Sequence, residues 1–320
     1  MNEATNGTMR MQEVIGTVTV KVADEDVRLA ELTADQLESM RPTLVILLGG
    51  SGQLVGVYLK AILTLRLGDA WRDKIRILAF DTTDEPFAVQ VGERTVRLEA
   101  ASEFFNVGNV PVANIIRNID NLDSIRGRFG TMLERLPATS LRNGAKSIPP
   151  LGLMAFYWHY PTIATEIQNA LWALADRNRR AGETALQQQG INVVVSGSIV
   201  GGTASGMILD TVALTRSLFD ELGTQGEFCH ITGLVFLPQA FPRVPPANLY
   251  ANTGASLAEF NHVMVNGKFS ARYPDGREVY IPHALFDLLY VLDGVDERGQ
   301  TWSGIEEVAA MAAEGIYLQI

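Results

Sequence analysis

Residues 191–222 read INVVVSGSIVGGTASGMILDTVALTRSLFDEL. An apolar run from Ile191 to Val195 leads through a small-residue loop, Gly201-Gly202-Thr203-Ala204-Ser205-Gly206, into a stretch of helical periodicity that ends near Leu222. A strand that does not alternate with polar residues is covered on both faces, as strands of parallel sheets are. A glycine loop between such a strand and a helix turns backbone N–H groups outward at the helix N-terminus, where an anion is stabilised. Thr203 and Ser205 add two hydroxyls able to donate to phosphate oxygens.

The same order recurs upstream. TLVILLGG (43–50) is a second apolar run ending in glycines, QLVGVYLKAILTLRL (53–67) is helical in pattern, and KIRILAFD (74–81) is a third apolar strand. Buried strands separated by helices predict an α/β fold with a Rossmann-like, mostly parallel sheet and helices on both faces. In such open sheets ligands gather beyond the carboxyl ends of the strands, so the loop Gly49-Gly50-Ser51-Gly52-Gln53 and the loop at 201–206 can face one crevice. Each glycine run alone also serves as a bare strand-to-helix turn; two at the ends of two strands of one sheet point to a shared anion site.

Two further segments carry chemistry. Asp81-Thr82-Thr83-Asp84 closes the strand 74–81, and a carboxylate there can hold a hydrated Mg²⁺ against a polyphosphate, because that ion keeps most of its waters; the alternative is a polar strand end with capping residues. Gly144-Ala145-Lys146-Ser147-Ile148-Pro149-Pro150-Leu151-Gly152 allows close backbone approach, and Lys146 has the reach to a terminal phosphate.

The remaining segments read as follows. VIGTVTVKVADEDVRL (14–29) alternates as a hairpin and ELTADQLESMRP (31–42) is a short helix, together an N-terminal extension over 1–42. VQVGERTVRLE (89–99) is an excursion hairpin, and MAFYWHYPTIATEIQNALWALADRNRR (154–180) is helical with Pro161 interrupting it or starting a new turn. HITGLVFLP (230–238) is a strand, NLYANTGASLAEFNHVMV (248–265) a helix, FSARYPDGREVYI (269–281) a hairpin about Asp275-Gly276, FDLLYVLD (286–293) a buried strand, and SGIEEVAAMAAEGIYLQI (303–320) a closing helix.

Composition narrows the function. The 320 residues carry 26 Lys+Arg against 36 Asp+Glu, so the net charge is 26 − 36 = −10, which speaks against nucleic-acid binding. At 47% hydrophobic and 19% charged the chain can bury a large core. One cysteine, Cys229, excludes an internal disulfide framework and fits a cytoplasmic protein. The opening residues lack the apolar core of a signal peptide, and no apolar run approaches the ~20 residues of a membrane span. The four histidines, His159, His230, His262 and His283, show no metal-ligand spacing, and no GxxxxGK[ST], HExxH or GxSxG occurs.

A GGSGQ turn, an acidic strand end, a Gly-Ala loop and GGTASG opening a helix, in that order, resemble the tubulin/FtsZ superfamily of GTPases, most closely the large bacterial tubulin-like proteins, over roughly residues 43 to 320. The resemblance implies a GTP or GDP ligand with Mg²⁺. It implies that Gly49, Gly50, Ser51, Gly52 and Gln53 line the α- and β-phosphates, that Asp81 lies near the magnesium and reaches it through water, and that Asp81 and Thr82 belong to the nucleotide site. It further implies that Gly144, Ala145 and Lys146 approach the γ-phosphate and that Gly201, Gly202, Thr203, Ala204, Ser205 and Gly206 wrap the phosphates from the other side. LPQAFPR (237–243) resembles the loop that reaches the ribose, through Pro238, Phe241 and Arg243. The last helix is similar to the start of the family's central helix, with Glu314 placed to read the guanine edge.

The chain departs from the family pattern in three places. Val200 stands where the signature often has its first glycine, and Ala204 replaces a central one; were position 204 to need a positive φ, alanine would cost about 1–2 kcal/mol there. The family completes hydrolysis with acidic residues on a loop after the central helix, presented to the neighbouring subunit, and the sequence stops before that loop. The expectation is therefore a nucleotide-binding domain over 43–302 and the start of a central helix over 303–320, in a fragment of a longer protein that associates head to tail, with slow or no hydrolysis by itself. Two other functions stay open on the residues. One is an NAD(P)-type dinucleotide-binding oxidoreductase, from Gly50, Gly52 and Gly56, although Asp81 lies 29 residues beyond Gly52 instead of ~20. The other is a tubulin-like scaffold that has lost nucleotide binding.

Overall fold

The computed structural model describes residues 40–84, 86–91, 94–180, 190–222, 229–242, 249–295, 298–299, 301–302 and 304–320. The expected hairpin at 14–29 and nearly all of the helix at 31–42 lie outside these residues.

Among the described residues six strands form one parallel sheet: β1 (Thr43–Leu48), β2 (Ile75–Asp81), β5 (Phe104–Asn106), β6 (Ile191–Ser198), β7 (Cys229–Phe236) and β10 (Leu288–Leu292), in the order β10-β7-β6-β1-β2-β5. Two antiparallel hairpins stand apart, β3 (Ala88–Val91) with β4 (Arg94–Arg97) and β8 (Phe269–Arg272) with β9 (Glu278–Ile281). The helices are α1 (Gly49–Leu67), α2 (Val112–Arg117), α3 (Asp123–Phe129), α4 (Pro149–Trp158), α5 (Tyr160–Arg180), α6 (Thr203–Glu221), α7 (Leu249–Val265) and α8 (Ile305–Gln319).

The period of two in the strands sends consecutive side chains into two separate cores. Leu44, Ile46 and Leu48 of β1 join Leu78 and Phe80 of β2, Val193 and Val195 of β6, and the buried faces of α4, α5 and α6. Val45 and Leu47 join Ile75, Ile77 and Ala79, Val194, and the inward faces of α1 and α8. Every residue of β1 is buried, which is why its sequence shows no alternation. Each such aliphatic or aromatic side chain contributes about 1.5–3 kcal/mol when removed from water. Helix α8 meets α1 through Val308, Ala309, Ala312, Ala313 and Ile316, a stripe at helical spacing whose alanines permit close approach.

The structure departs from the sequence expectations at three elements. Phe104–Asn106 adds a sixth strand at the far edge of the sheet, too short to show a period. Helical segment 154–180 starts earlier, at Pro149, and breaks at His159, with Pro161 in the first turn of α5. Strand β10, expected to be buried, is an edge strand with Leu288, Tyr290 and Val291 each more than 40% exposed. Among the described residues no helix is long and apolar enough to cross a membrane.

Candidate functional site

Parallel register brings Leu48 level with Phe80 of β2 and with Gly197 of β6, so three strands end together and release their loops on one side of the sheet. At the end of β1 the chain turns directly into α1 through Gly49, whose φ of +68° lies in the left-handed region that favours glycine. A Cβ there would lie 3.3 Å from Thr203 Cβ and 3.5 Å from the Ala204 nitrogen, so the first and fourth loops are in contact. Neither α1 nor α6 has a side-chain cap on its N-terminus. Their first-turn N–H groups therefore have no intrahelical acceptor, and both helix starts carry partial positive charge toward the same crevice.

The signature glycines divide by task. Nothing lies within 4 Å of the position a Cβ would take at Gly201, which faces open space. At Gly202 a Cβ would fall 2.7 Å from Ala145 Cβ, and at Gly206 it would fall 2.0 Å from the Pro149 oxygen, so these two admit the 144–148 loop and α4. Gly152 of α4 completes the contact, 2.2 Å from the Gly202 oxygen by the same measure. Gly52 lets α1 approach the sheet, 2.9 Å from the Ser196 oxygen, and Gly50 faces the Phe87 ring at 3.2 Å. Ala204 is buried with its methyl over Gly197 and has no positive φ, and neither does Val200. The two departures from the signature are accommodated without backbone strain.

Asp81 sits at the end of β2, 1% exposed. Its Oδ1 accepts from the Thr82 nitrogen at 2.6 Å, and its Oδ2 accepts from Gln53 Nε2 at 2.5 Å and Thr83 Oγ1 at 2.9 Å. Burial pushes its carboxyl above the ordinary value, while hydrogen bonds from Thr83, Gln53 and Thr82 oppose that rise. Gln53 is itself fully buried, with its Oε1 accepting from the Phe87 nitrogen at 3.1 Å. Thr82 and Thr203 share a hydrogen bond of 2.8 Å between hydroxyls, joining the second loop to the fourth. Ser205 donates back to the Gly201 and Gly202 carbonyls, so its hydroxyl braces the loop. Ser51 is half-buried at the start of α1.

The third loop is tied on both sides. Thr83 bridges to Asn143, and Ala145 is buried under Gly202. Gly144, Lys146 and Ser147 all have positive φ, at +86°, +50° and +55°, an unusual run for residues other than glycine. Lys146 is exposed and its Nζ donates to Thr139 Oγ1 at 2.9 Å. Sequence reasoning missed a supporting layer: Asn106 donates to the Thr83 carbonyl at 2.6 Å, Gly108 has no room for a side chain, 2.1 Å from the Thr82 oxygen, and Asn252 joins two loops. Their partners are distant in the chain and leave no local signal.

Not every expected residue is brought to these loops. Pro238 opens a short 3-10 turn after β7 and is buried, with Phe241 just beyond it, and Arg243 lies outside the described residues. Glu314 is exposed in α8, about 13 Å along the axis from Ile305 at 1.5 Å per residue. Glu306 and Glu307 act on Tyr58 and Tyr317 lies against Arg66, so α8 runs in the same direction as α1, away from the crevice. Its last carbonyl, Ile320, accepts from the Arg41 nitrogen before β1. The start of α8 faces the loop end of the sheet and Glu314 does not, contrary to its expected place at the base. Gly56, on which the dinucleotide reading depended, is filled by the Leu47 and Leu98 side chains. Among the described residues no group of three or more His, Cys, Asp or Glu side chains is placed to hold a metal.

Four loops gather around two uncapped helix starts, and the family profile described as "Tubulin like" matches residues 44–320. The chain belongs to this tubulin-like family. Its parallel α/β sheet is the fold expected of a tubulin/FtsZ superfamily domain. Two solved structures are similar to the tubulin-like chain. CetZ from Methanosaeta thermophila shares 14% identity, with 88% of this chain and 54% of that one covered at a TM-score of 0.42. CetZ2 from Haloferax volcanii, solved as a GTPγS-bound protofilament, shares 13% identity, with 88% and 58% covered at a TM-score of 0.46. The tubulin-like chain thus spans somewhat over half the length of these proteins. No curated protein matches it.

Proposed function

We propose that this tubulin-like domain binds a guanine nucleotide, GTP or GDP, as its phosphates and Mg²⁺. The observation that carries the reading is the meeting of two uncapped helix starts, at Gly49 and Thr203, beside a glycine, Gly201, with open space before it. The donor set fits a polyphosphate: backbone N–H groups of 49–51 and 201–204 and the hydroxyl of Thr203, whose partner Thr82 is fully buried behind it. These are neutral donors, suited to an anion on a chain of net charge −10. Gly144, Ala145 and Lys146 are assigned to a terminal phosphate, supported by the contact of Ala145 with Gly202 beside Gly201. Asp81 serves the magnesium at one remove, by fixing Gln53, Thr82 and Thr83, since its oxygens are occupied by their hydrogen bonds. Turnover, in a cytoplasmic protein of this kind, belongs to a head-to-tail assembly in which a second copy completes the site.

The test is direct. Denatured after purification, the protein is expected to release GTP or GDP, and added GTP with Mg²⁺ at 100 times its dissociation constant raises stability by about 2.7 kcal/mol. The reading fails if neither guanine nucleotide shifts the melting temperature and none is released. Head-to-tail assembly predicts GTP-dependent light scattering and a turnover rate per molecule that rises with protein concentration; a rate independent of concentration contradicts it.

A further inference from the structure

Asn252 lies in the first turn of α7, and its Nδ2 donates to two backbone carbonyls, Ser147 at 2.9 Å and Val200 at 3.0 Å. Both partners are acceptors, so the NH₂ end of the amide must face them, and its two hydrogens, held in one plane, fix the separation of the two carbonyls. Those carbonyls belong to the third and fourth loops. Ser147 and its neighbour Lys146 are both left-handed, a conformation that L residues avoid and that persists only when its surroundings hold it. Val200 is adjacent to Gly201, the signature glycine that faces open space. The amide of α7 thus clasps a strained loop to the loop beside the anion cradle.

We propose that Asn252 is a positioning residue that holds Lys146 and Ser147 in their left-handed conformation at a set distance from Gly201, so that the outer end of the crevice accepts the terminal phosphate of a nucleoside triphosphate. This rests on the nucleotide-binding reading above. A diphosphate leaves the outer end empty and is indifferent to the clasp. Removing the clasp lets Lys146 and Ser147 relax toward ordinary φ values and changes the spacing that only the triphosphate uses.

The test titrates the purified full chain, and its Asn252→Ala and Asn252→Asp variants, with GTPγS and with GDP in Mg²⁺ by calorimetry. Asn252→Asp keeps the size of the side chain and removes its donors; Asn252→Ala favours the helix, so both variants are expected to fold. The expected result is a tenfold weaker GTPγS affinity in both variants with GDP affinity changed less than twofold. A merely structural role lowers both affinities together and leaves their ratio unchanged, which overturns the proposal while leaving nucleotide binding intact. Wild-type protein that binds neither nucleotide overturns both readings. Hydrogen exchange on the wild-type protein gives a second readout: GTPγS, and not GDP, slows exchange at 144–148 and at 249–253 together, and protection of the loop without the helix contradicts the clasp.

Discussion

Gly206 separates two explanations of the signature loop, ligand contact and helix packing. A Cβ added there would lie 2.0 Å from the Pro149 oxygen and 2.5 Å from the Leu153 nitrogen, whereas ordinary contact begins at 3.4 Å. The shortfall to the nearest atom is 1.4 Å, and both obstacles are backbone of α4, so no side-chain rotation relieves it. In Gly206→Ala, α4 and α6 must move apart across a core that includes Leu151, Met154, Ala155, Met207 and Ile208, all fully buried. Overpacking of this kind costs about 1–3 kcal/mol, and a backbone obstacle places it at the upper end. The better helix propensity of alanine offsets up to about 1 kcal/mol. The net loss is about 2 kcal/mol, or a fall of about 4–8 °C in melting temperature at the 2–4 °C per kcal/mol usual for larger domains. Gly201→Ala has no atom within 4 Å and no positive φ to violate, so its stability stays within about 0.5 kcal/mol while nucleotide affinity falls. Thermal unfolding of both variants without nucleotide, followed by GTP titration, is the assay. An unchanged melting temperature for Gly206→Ala, or a large fall for Gly201→Ala, refutes the division of tasks.

Thr203→Val leaves the fully buried Thr82 hydroxyl without its partner and is expected to cost about 1–3 kcal/mol in urea unfolding, whereas Thr82→Val with Thr203→Val costs less than the sum of the single changes; strict additivity contradicts the hydroxyl bridge. The Asp81 carboxyl is raised by burial, so the folded state binds its proton more tightly than the unfolded one. The stability this supplies is fully present below the ordinary value of 3.8 and is lost as pH rises through the folded value; urea midpoints compared across that range should show a component that Asp81→Asn removes, and identical profiles would sink the argument.

The fold was legible where long elements carried the signal. Strands β1, β2 and β6 are buried on both faces, and burial on both faces is what an uninterrupted apolar run encodes. The same rule misread β10, because its apolar residues stand at a sheet edge where, among the described residues, no further strand pairs with it, and an edge position is set by strand order and not by composition. Strand β5 escaped notice because three residues cannot display a period of two.

The candidate site was legible as a fold feature where a strand, a glycine loop and a helix follow one another in sequence. It was illegible where one glycine has two meanings. Gly201 and Gly206 look alike in GGTASG, yet one faces open space and the other a neighbouring helix, a difference decided by Pro149 and Leu153 some fifty residues earlier. The clasp of Asn252 spans 105 residues to Ser147 and 52 to Val200, so only the folded chain brings those groups together. Close helix packing also fixes where the glycine loops can sit: α4 presses on α6 through Gly152, Gly202 and Gly206, and the third loop, which leads directly into α4, is carried against the fourth. The packing glycines therefore set the distance between the third and fourth loops, while Gly201 faces open space beside them. On an acidic chain this matters, because neutral N–H and hydroxyl donors hold a polyanion only when several converge at fixed spacing.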